Sequence, residues 1–134
     1  MKKITFDSGL RKYELGSGIL SFNTLDPNLY ERFVEATDQL RNLESDMLER
    51  AKDAEINGID ALAILKDVDC KAKNILNNVF GGDNDFDRML AGVNLMAVAT
   101  NGERVITNLL DALTPILEQG ARDCAASFMS KDGK

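Results

Sequence analysis

Histidine and tryptophan are absent from the 134 residues, and proline occurs only twice. Without histidine, the chain cannot form a Ser-His-Asp triad, a Cys-His pair or a histidine-containing metal site. The longest apolar stretches, residues 61–65 and 95–99, contain five residues each, whereas a membrane-spanning helix needs roughly 20. These absences predict a protein that is not an enzyme and does not span a membrane.

The charge balance argues against two further classes of partner. The chain carries 16 Lys and Arg against 22 Asp and Glu, a net charge of −6. Nucleic acids and anionic lipids attract Lys and Arg, so we expect no direct binding to either. Lys2 and Lys3 are not followed by an apolar run, so we expect no signal peptide and a cytoplasmic protein.

The hydrophobic content, 44%, is high enough for a packed core, so residues 1–134 are expected to form one domain. Cys70 and Cys124 stand alone in the sequence, without Cys-x-x-Cys spacing. In a reducing cytoplasm they are expected to be buried thiols that serve as packing residues, with a disulfide as the alternative.

Residues 1–25 alternate polar and apolar side chains in three short runs, 3–6, 12–15 and 19–22. Glycine-containing turns at residues 7–9 and 16–18 separate the runs. This pattern predicts a small antiparallel β-meander. Because so small a sheet is marginal in water, we expect it to lie on helices or on a neighbouring subunit.

Residues 26–130 have helical periodicity. Asp26 and Pro27 suit the start of a long first helix, and Asn57-Gly58 suits its end, which gives about 30 residues or about 45 Å. Its opposite face is acidic, with nine Asp and Glu against four Lys and Arg in residues 26–57. The apolar face recurs every three or four residues and predicts an intramolecular helical hairpin; it comprises Leu29, Phe33, Ala36, Leu40, Leu43, Met47, Ala51 and Ala54.

Three more helices are predicted: one over residues 60–80, a short one over 86–91, and a last one from Asn101 or Gly102. Pro115 is expected to kink or split the last helix, and residues 131–134 to fray. The fold class is therefore α+β, mainly α, with a short N-terminal antiparallel β-meander followed by a helical bundle. The apolar face of the second helix comprises Leu62, Leu65, Val68, Ala72, Ile75, Leu76 and Val79.

Motifs for metal, phosphate and acid/base chemistry fail on inspection. Residues 83–87 alternate acidic side chains as in an EF-hand loop, but Arg88 and Asn94 occupy the positions of the required glycine and glutamate. A polar turn that caps the helix at Phe86 is the preferred interpretation. Residues 16–18 are too short for a phosphate loop, and the carboxylate pairs of the first helix lie on its polar face. We therefore expect no catalytic residue, no metal and no cofactor.

The chain has more apolar residues than three helical stripes need, namely Leu90, Val93, Leu95, Met96, Val98, Phe128 and Met129. They are interpreted either as core or as an apolar groove or oligomer interface. From the apolar pattern, the candidate partner-binding residues are Leu95, Met96, Leu109 and Leu113.

The order of several segments resembles a known family. FNTLDPN at residues 22–28 opens a long helix, VFGG at 79–82 closes a helix, and NGE at 101–103 leads into LTPI at 113–116. This order, behind a β-meander, is similar to the tail assembly chaperones of siphophages and prophages of Gram-positive bacteria, which are encoded between the tail tube and tape-measure genes.

The resemblance implies a non-enzymatic role in the host cytoplasm. Such chaperones coat the long helical tape-measure protein and keep it soluble until tube subunits polymerise around it. It also implies self-association as a homo-oligomer, the tail tube protein as a second partner, and in many members a frameshifted longer form. The alternatives are a structural tail or connector subunit of the virion and a bacterial helical adaptor protein.

Overall fold

The computed structural model describes residues 1–6, 9–53 and 58–132. A two-stranded antiparallel sheet is followed by helices, which confirms the α+β, mainly α class. The elements are β1 (Leu10–Leu15), β2 (Gly18–Asn23), α1 (Pro27–Asp53), α2 (Gly58–Phe80), α3 (Phe86–Met89) and α4 (Val105–Asp132).

The N-terminal sheet is a hairpin rather than the predicted three-stranded meander. Strands β1 and β2 pair with Leu15 opposite Gly18, so residues 16 and 17 form the predicted turn. Residues 1–6 form no strand. The carbonyl of Gly9 accepts hydrogen bonds from the N–H and the hydroxyl of Thr24, at 3.0 and 2.7 Å, so this residue is anchored beside β2. Asp7 and Ser8, in the first predicted turn, lie outside the described residues.

The hairpin packs against the helices through a row of aromatic rings. Tyr13 stacks on Phe22, Phe22 contacts Phe80, and Phe80 contacts Phe86, with centroid separations of 5.4, 5.4 and 5.6 Å. Asn84 holds the outer edge of β2, because its side chain accepts from the Ser21 N–H at 2.9 Å and donates to the Ser21 carbonyl at 2.6 Å. The small sheet is therefore stabilised by α2 and by the turn that follows it.

Helix α1 begins as predicted, with the Asp26 carboxylate accepting a hydrogen bond from the Asn28 N–H at 3.0 Å. It packs mainly along α2, which confirms the helical hairpin. Of the predicted seam, Leu43 is half-buried, Ala51 is exposed and Ala54 lies outside the described residues. The other five members are buried: Leu29, Phe33, Ala36, Leu40 and Met47.

The predicted face of α2 is buried only over its C-terminal part, where Val68, Ala72, Leu76 and Val79 join the core. Leu62 is exposed, which corrects its assignment to the face. Ala51 of α1 lies at the same end of the α1–α2 pair and is also exposed. The described part of the chain leaves these first turns of α2 exposed, including Ile59.

The turn after α2 has the predicted capping role. The Asp85 carboxylate accepts hydrogen bonds from the N–H groups of Asp87 and Arg88, at 3.1 and 3.4 Å. Helix α3 then ends at Met89, two residues earlier than predicted, and Ala91 adopts a positive φ of 53° that a helix cannot continue through.

Helix α4 begins at Val105 rather than at Asn101 or Gly102. Residues 98 and 104 form an antiparallel bridge, and the carbonyls of Ala97 and Leu95 accept hydrogen bonds from the N–H groups of Val105 and Ile106. These bonds satisfy amides of the first turn, which have no partner inside a helix. The helix runs without a break through Pro115 to Asp132, so the predicted split at Pro115 is wrong and helical backbone extends past residue 130.

Among the residues that the structure describes, one charged side chain is buried. Lys73 is 4% exposed, and its ammonium donates hydrogen bonds to Asp69 at 2.9 Å and to Asp87 at 2.6 Å. The second oxygen of Asp69 accepts from the Leu95 N–H at 2.8 Å. Burial lowers the pKa of Lys73, but the hydrogen bonds that its ammonium donates to Asp69 and Asp87 outweigh this effect, so the net pKa is raised. This network joins α2, α3 and the segment that leads to α4.

We expect Lys73→Met to lower the free energy of unfolding by about 3 kcal/mol, because it leaves the partly buried Asp69 carboxylate without its cation. Lys71→Met, which removes an exposed partner of Asp67, should cost less than about 1 kcal/mol. Urea unfolding of both variants measures the difference. Equal effects would contradict the central role of Lys73.

The raised pKa of Lys73 gives this prediction a pH dependence. A cation whose folded-state pKa is raised contributes its full stabilisation below the unfolded value of 10.5 and loses it as the pH rises through the folded value. The stability difference between wild type and Lys73→Met should therefore be constant at neutral pH. It should diminish only above the unfolded pKa of 10.5, as the pH rises towards the folded pKa.

A second prediction tests the α1 seam. Leu40→Asp should abolish cooperative folding, because it places an unpaired charge in the core. Leu48→Asp is the matched control, since Leu48 lies two turns further along α1 and is exposed. Thermal unfolding followed by circular dichroism should show a cooperative transition for the control alone.

Candidate partner-binding groove

The four residues proposed from sequence as partner contacts are not available to a partner in this fold. Leu95, Met96, Leu109 and Leu113 are all buried and belong to the single hydrophobic core. The assignment of these residues as a binding surface is therefore corrected. For Leu95, the reason is that its backbone N–H donates a hydrogen bond to the Asp69 carboxylate of α2. This bond holds the segment before α4 against α2.

Some of the surplus apolar residues belong to the core, and others are exposed and available to a groove or an interface. Leu90 packs against the core together with Leu95 and Met96. In contrast, Val93, Val98, Phe128 and Met129 are exposed. Phe128 and Met129 lie near the C-terminal end of α4, where every side chain from residue 125 to residue 130 is exposed.

An apolar groove lies between the N-terminal half of α1 and the C-terminal half of α4. It consists of two adjoining cavities of about 750 and 220 Å³ that share Tyr30 and Ala121. We call it the α1–α4 groove, and its lining residues are Leu25, Pro27, Tyr30, Phe33, Val34, Thr37, Thr114, Leu117, Glu118, Ala121, Cys124, Ala125, Ser127 and Phe128.

Large apolar side chains on both walls of the groove face solvent. Val34 on α1 is 61% exposed, and Phe128 on α4 is 69% exposed. Leu25, in the segment between β2 and α1, is also exposed at the same end. Contiguous exposed apolar surface of this kind marks interaction sites more often than an isolated exposed leucine does.

Tyr30 forms the shared floor of the two cavities. Its hydroxyl donates a hydrogen bond to the Thr24 carbonyl at 2.6 Å. Burial raises the pKa of Tyr30, and the neighbouring acidic groups of Cys124 and Asp123 raise it further. The hydrogen bond ties this groove residue to Thr24, in the segment between β2 and α1.

Gly120 allows α4 to lie directly over this ring. A Cβ atom at position 120 would lie 2.6 Å from the Tyr30 hydroxyl and 3.2 Å from the ring edge. Any larger residue would push α4 away from α1 or displace the tyrosine. The width of the groove thus depends on the absence of a side chain at this position of α4.

Both cysteines are free thiols, as expected. Cys124 is half-buried in the groove, and its sulfur lies 3.7 Å from the Leu25 carbonyl. Cys70 is exposed on α2, so its predicted role as a buried packing residue is wrong.

The charged side chain that lines the groove is acidic, and further acidic side chains lie close to it. Glu118 lines it from α4, and the exposed Glu31 lies one turn before Val34 on α1. Asp123 precedes Cys124 and faces the adjoining surface beside the hairpin. The groove therefore combines an apolar floor with negative edges, which suits an apolar segment that carries basic residues.

Other kinds of site were sought in the described ranges. Among residues 1–6, 9–53 and 58–132, no three acidic or cysteine side chains gather where they could hold a metal ion. The helices in those ranges also lack the combined length and apolar character that crossing a bilayer requires. The α1–α4 groove remains the candidate site.

Comparison with known proteins identifies no relative: the chain matches no protein-family model, no curated protein and no solved structure. The function must therefore be argued from the groove and from the resemblance in motif order.

The contact between Gly120 and Tyr30 predicts a coupled pair of substitutions. Gly120→Ala should be destabilising by about 1 kcal/mol in the wild-type background, because the loss of the Tyr30 hydrogen bond outweighs the gain in helix propensity. In a Tyr30→Leu background the same change should be neutral or stabilising. A double-mutant cycle by urea unfolding measures this coupling, and additive effects would contradict the close approach.

Proposed function

We propose that this chain is a non-enzymatic tail assembly chaperone that binds the tape-measure protein of a siphophage or prophage. The observation that carries the proposal is the α1–α4 groove, an apolar surface that the folded chain leaves uncovered. The motif order described above supports the same assignment.

The dimensions of the groove suit a helical partner. Its α4 wall extends from Thr114 to Phe128, about 20 Å at 1.5 Å per residue. An amphipathic helix presents an apolar side chain every three or four residues, so about four turns would contact this wall. A tape-measure protein is long, helical and apolar, and its stripe is the kind of surface such a groove would cover.

The charge of the chain supports a chaperone role in solution. The net charge is −6, and the exposed faces of α1 and α4 carry acidic residues beside the groove. Negative charge keeps the coated complex soluble through mutual repulsion. It also favours a partner helix whose apolar stripe is flanked by Lys or Arg.

The proposal requires a gene for a very long coiled-coil protein next to the gene of this chain, and co-expression with that protein tests it. The wild-type chain should keep that protein in the soluble fraction and co-purify with it. Val34→Asp should reduce the co-purified amount at least tenfold, because it places a charge on the apolar wall of the groove.

Val98→Asp is the matched control, since Val98 is 63% exposed and lies outside the groove. It should leave co-purification unchanged, and both variants should retain the wild-type Tm. Equal binding by Val34→Asp and wild type would overturn the assignment of the groove.

Mass spectrometry of purified phage particles separates the chaperone from a structural tail subunit. A chaperone leaves the complex when tube subunits replace it, so the particles should lack the chain. Recovery of the chain from particles in stoichiometric amount would overturn the proposal in favour of a virion component.

A further inference from the structure

The N-terminal arm, residues 1–6, is a second apolar surface that the folded chain does not cover. It has no secondary structure, and Ile4 and Phe6 are 88% and 81% exposed. These two side chains alternate with polar Lys3 and Thr5, as in a strand with one apolar face. One chain therefore presents an uncovered apolar arm and an uncovered apolar groove.

The arm leaves the body of the protein at one end of the α1–α4 groove. Gly9 is buried with a φ of +74°, and a Cβ atom there would lie 2.3 Å from the side chain of Leu25. Leu25 is itself a lining residue of the groove. The base of the arm and the groove of one chain are thus neighbours.

The charges of the arm and of the groove are opposite in sign. The arm carries Lys2 and Lys3 and, in residues 1–6, no acidic side chain. The groove has Glu118 in its wall and Glu31 beside Val34. A basic segment with two apolar side chains matches an apolar floor with acidic edges.

We propose that the N-terminal arm of one copy docks in the α1–α4 groove of a second copy, and that two reciprocal arms form a symmetric dimer. Ile4 and Phe6 occupy the apolar floor, and Lys2 and Lys3 lie at the acidic rim. A single chain leaves both surfaces exposed, whereas a two-fold exchange covers both arms and both grooves and leaves no open end.

The arm would then act as a temporary occupant of the groove. A tape-measure helix that binds the same residues must displace it, so dimerisation and partner binding compete. This competition rests on the function proposed above, whereas the docking of the arm does not.

The first test measures the mass of the full-length protein by sedimentation equilibrium over a range of concentrations. Wild type should dimerise, and the double variant Ile4→Ser/Phe6→Ser should raise the dimer dissociation constant at least tenfold. Val34→Asp, in the groove, should raise it similarly. The control Ile59→Ser alters an isoleucine that is equally exposed, at 78%, but lies at the start of α2 and should leave the constant unchanged.

Mixing the two variants provides the decisive test. The arm variant keeps an intact groove and Val34→Asp keeps an intact arm, so a differently tagged mixture should form a heterodimer through one arm–groove contact, with a lower dissociation constant than either variant alone. A monomeric mixture, a monomeric wild type, or an arm variant that dimerises like wild type would each overturn the proposal.

The two proposals fail in different ways. A monomeric wild type that still binds the tape-measure protein through Val34 would overturn arm docking and leave the proposed function intact. An arm-dependent dimer whose binding to the tape-measure protein is insensitive to Val34→Asp would support arm docking and overturn the role of the groove in the proposed function.

Discussion

The hydrogen bonds of Lys73 and of its partner Asp69 hold together α2, α3 and the segment that leads to α4. From α2, its ammonium reaches Asp87 on α3 and Asp69 one turn away, and Asp69 in turn accepts the N–H of Leu95. A buried cation is tolerated only where carboxylates surround it in good geometry, so these contacts have to form together. They hold the segment between α3 and α4 against α2, and the carbonyls of that segment then accept the first amides of α4. The direction of α4, and with it the groove, follows from this network.

The groove exists because α4 packs closely on α1 at one point and is uncovered beyond it. Gly120 lies over Tyr30, whereas Phe128 and Met129 in the last turns of α4 are exposed. An apolar wall of this length is costly in water unless another chain covers it. The acidic residues around it and the net charge of −6 keep such a surface soluble. The chaperone role proposed above rests on that combination.

Local sequence signals predicted the secondary structure well where the interactions are local. The Asp26 cap, the seam of α1, the break after Phe80 and the Asp85 cap all depend on residues within a few positions of one another. The predictions failed where distant residues decide. Residues 1–6 alternate like a strand but form none, while Gly9 bonds to Thr24, and Leu62 matches the apolar spacing of α2 but is exposed. Helix α4 starts late because carbonyls before it accept its first amides.

The candidate site shows most clearly which properties the sequence determines and which depend on the tertiary structure. The sequence alone determined that the chain has helices with apolar stripes, a surplus of apolar residues, an acidic surface and no histidine for catalysis, because composition and periodicity depend on no distant contact. Which of those apolar residues face solvent was decided only by the tertiary structure. Leu95, Met96, Leu109 and Leu113 are core residues, and Val34, Phe128, Ile4 and Phe6 are exposed. Burial is a property of two surfaces that meet, and an apolar stripe in a sequence does not record whether another element of the same chain is there to cover it.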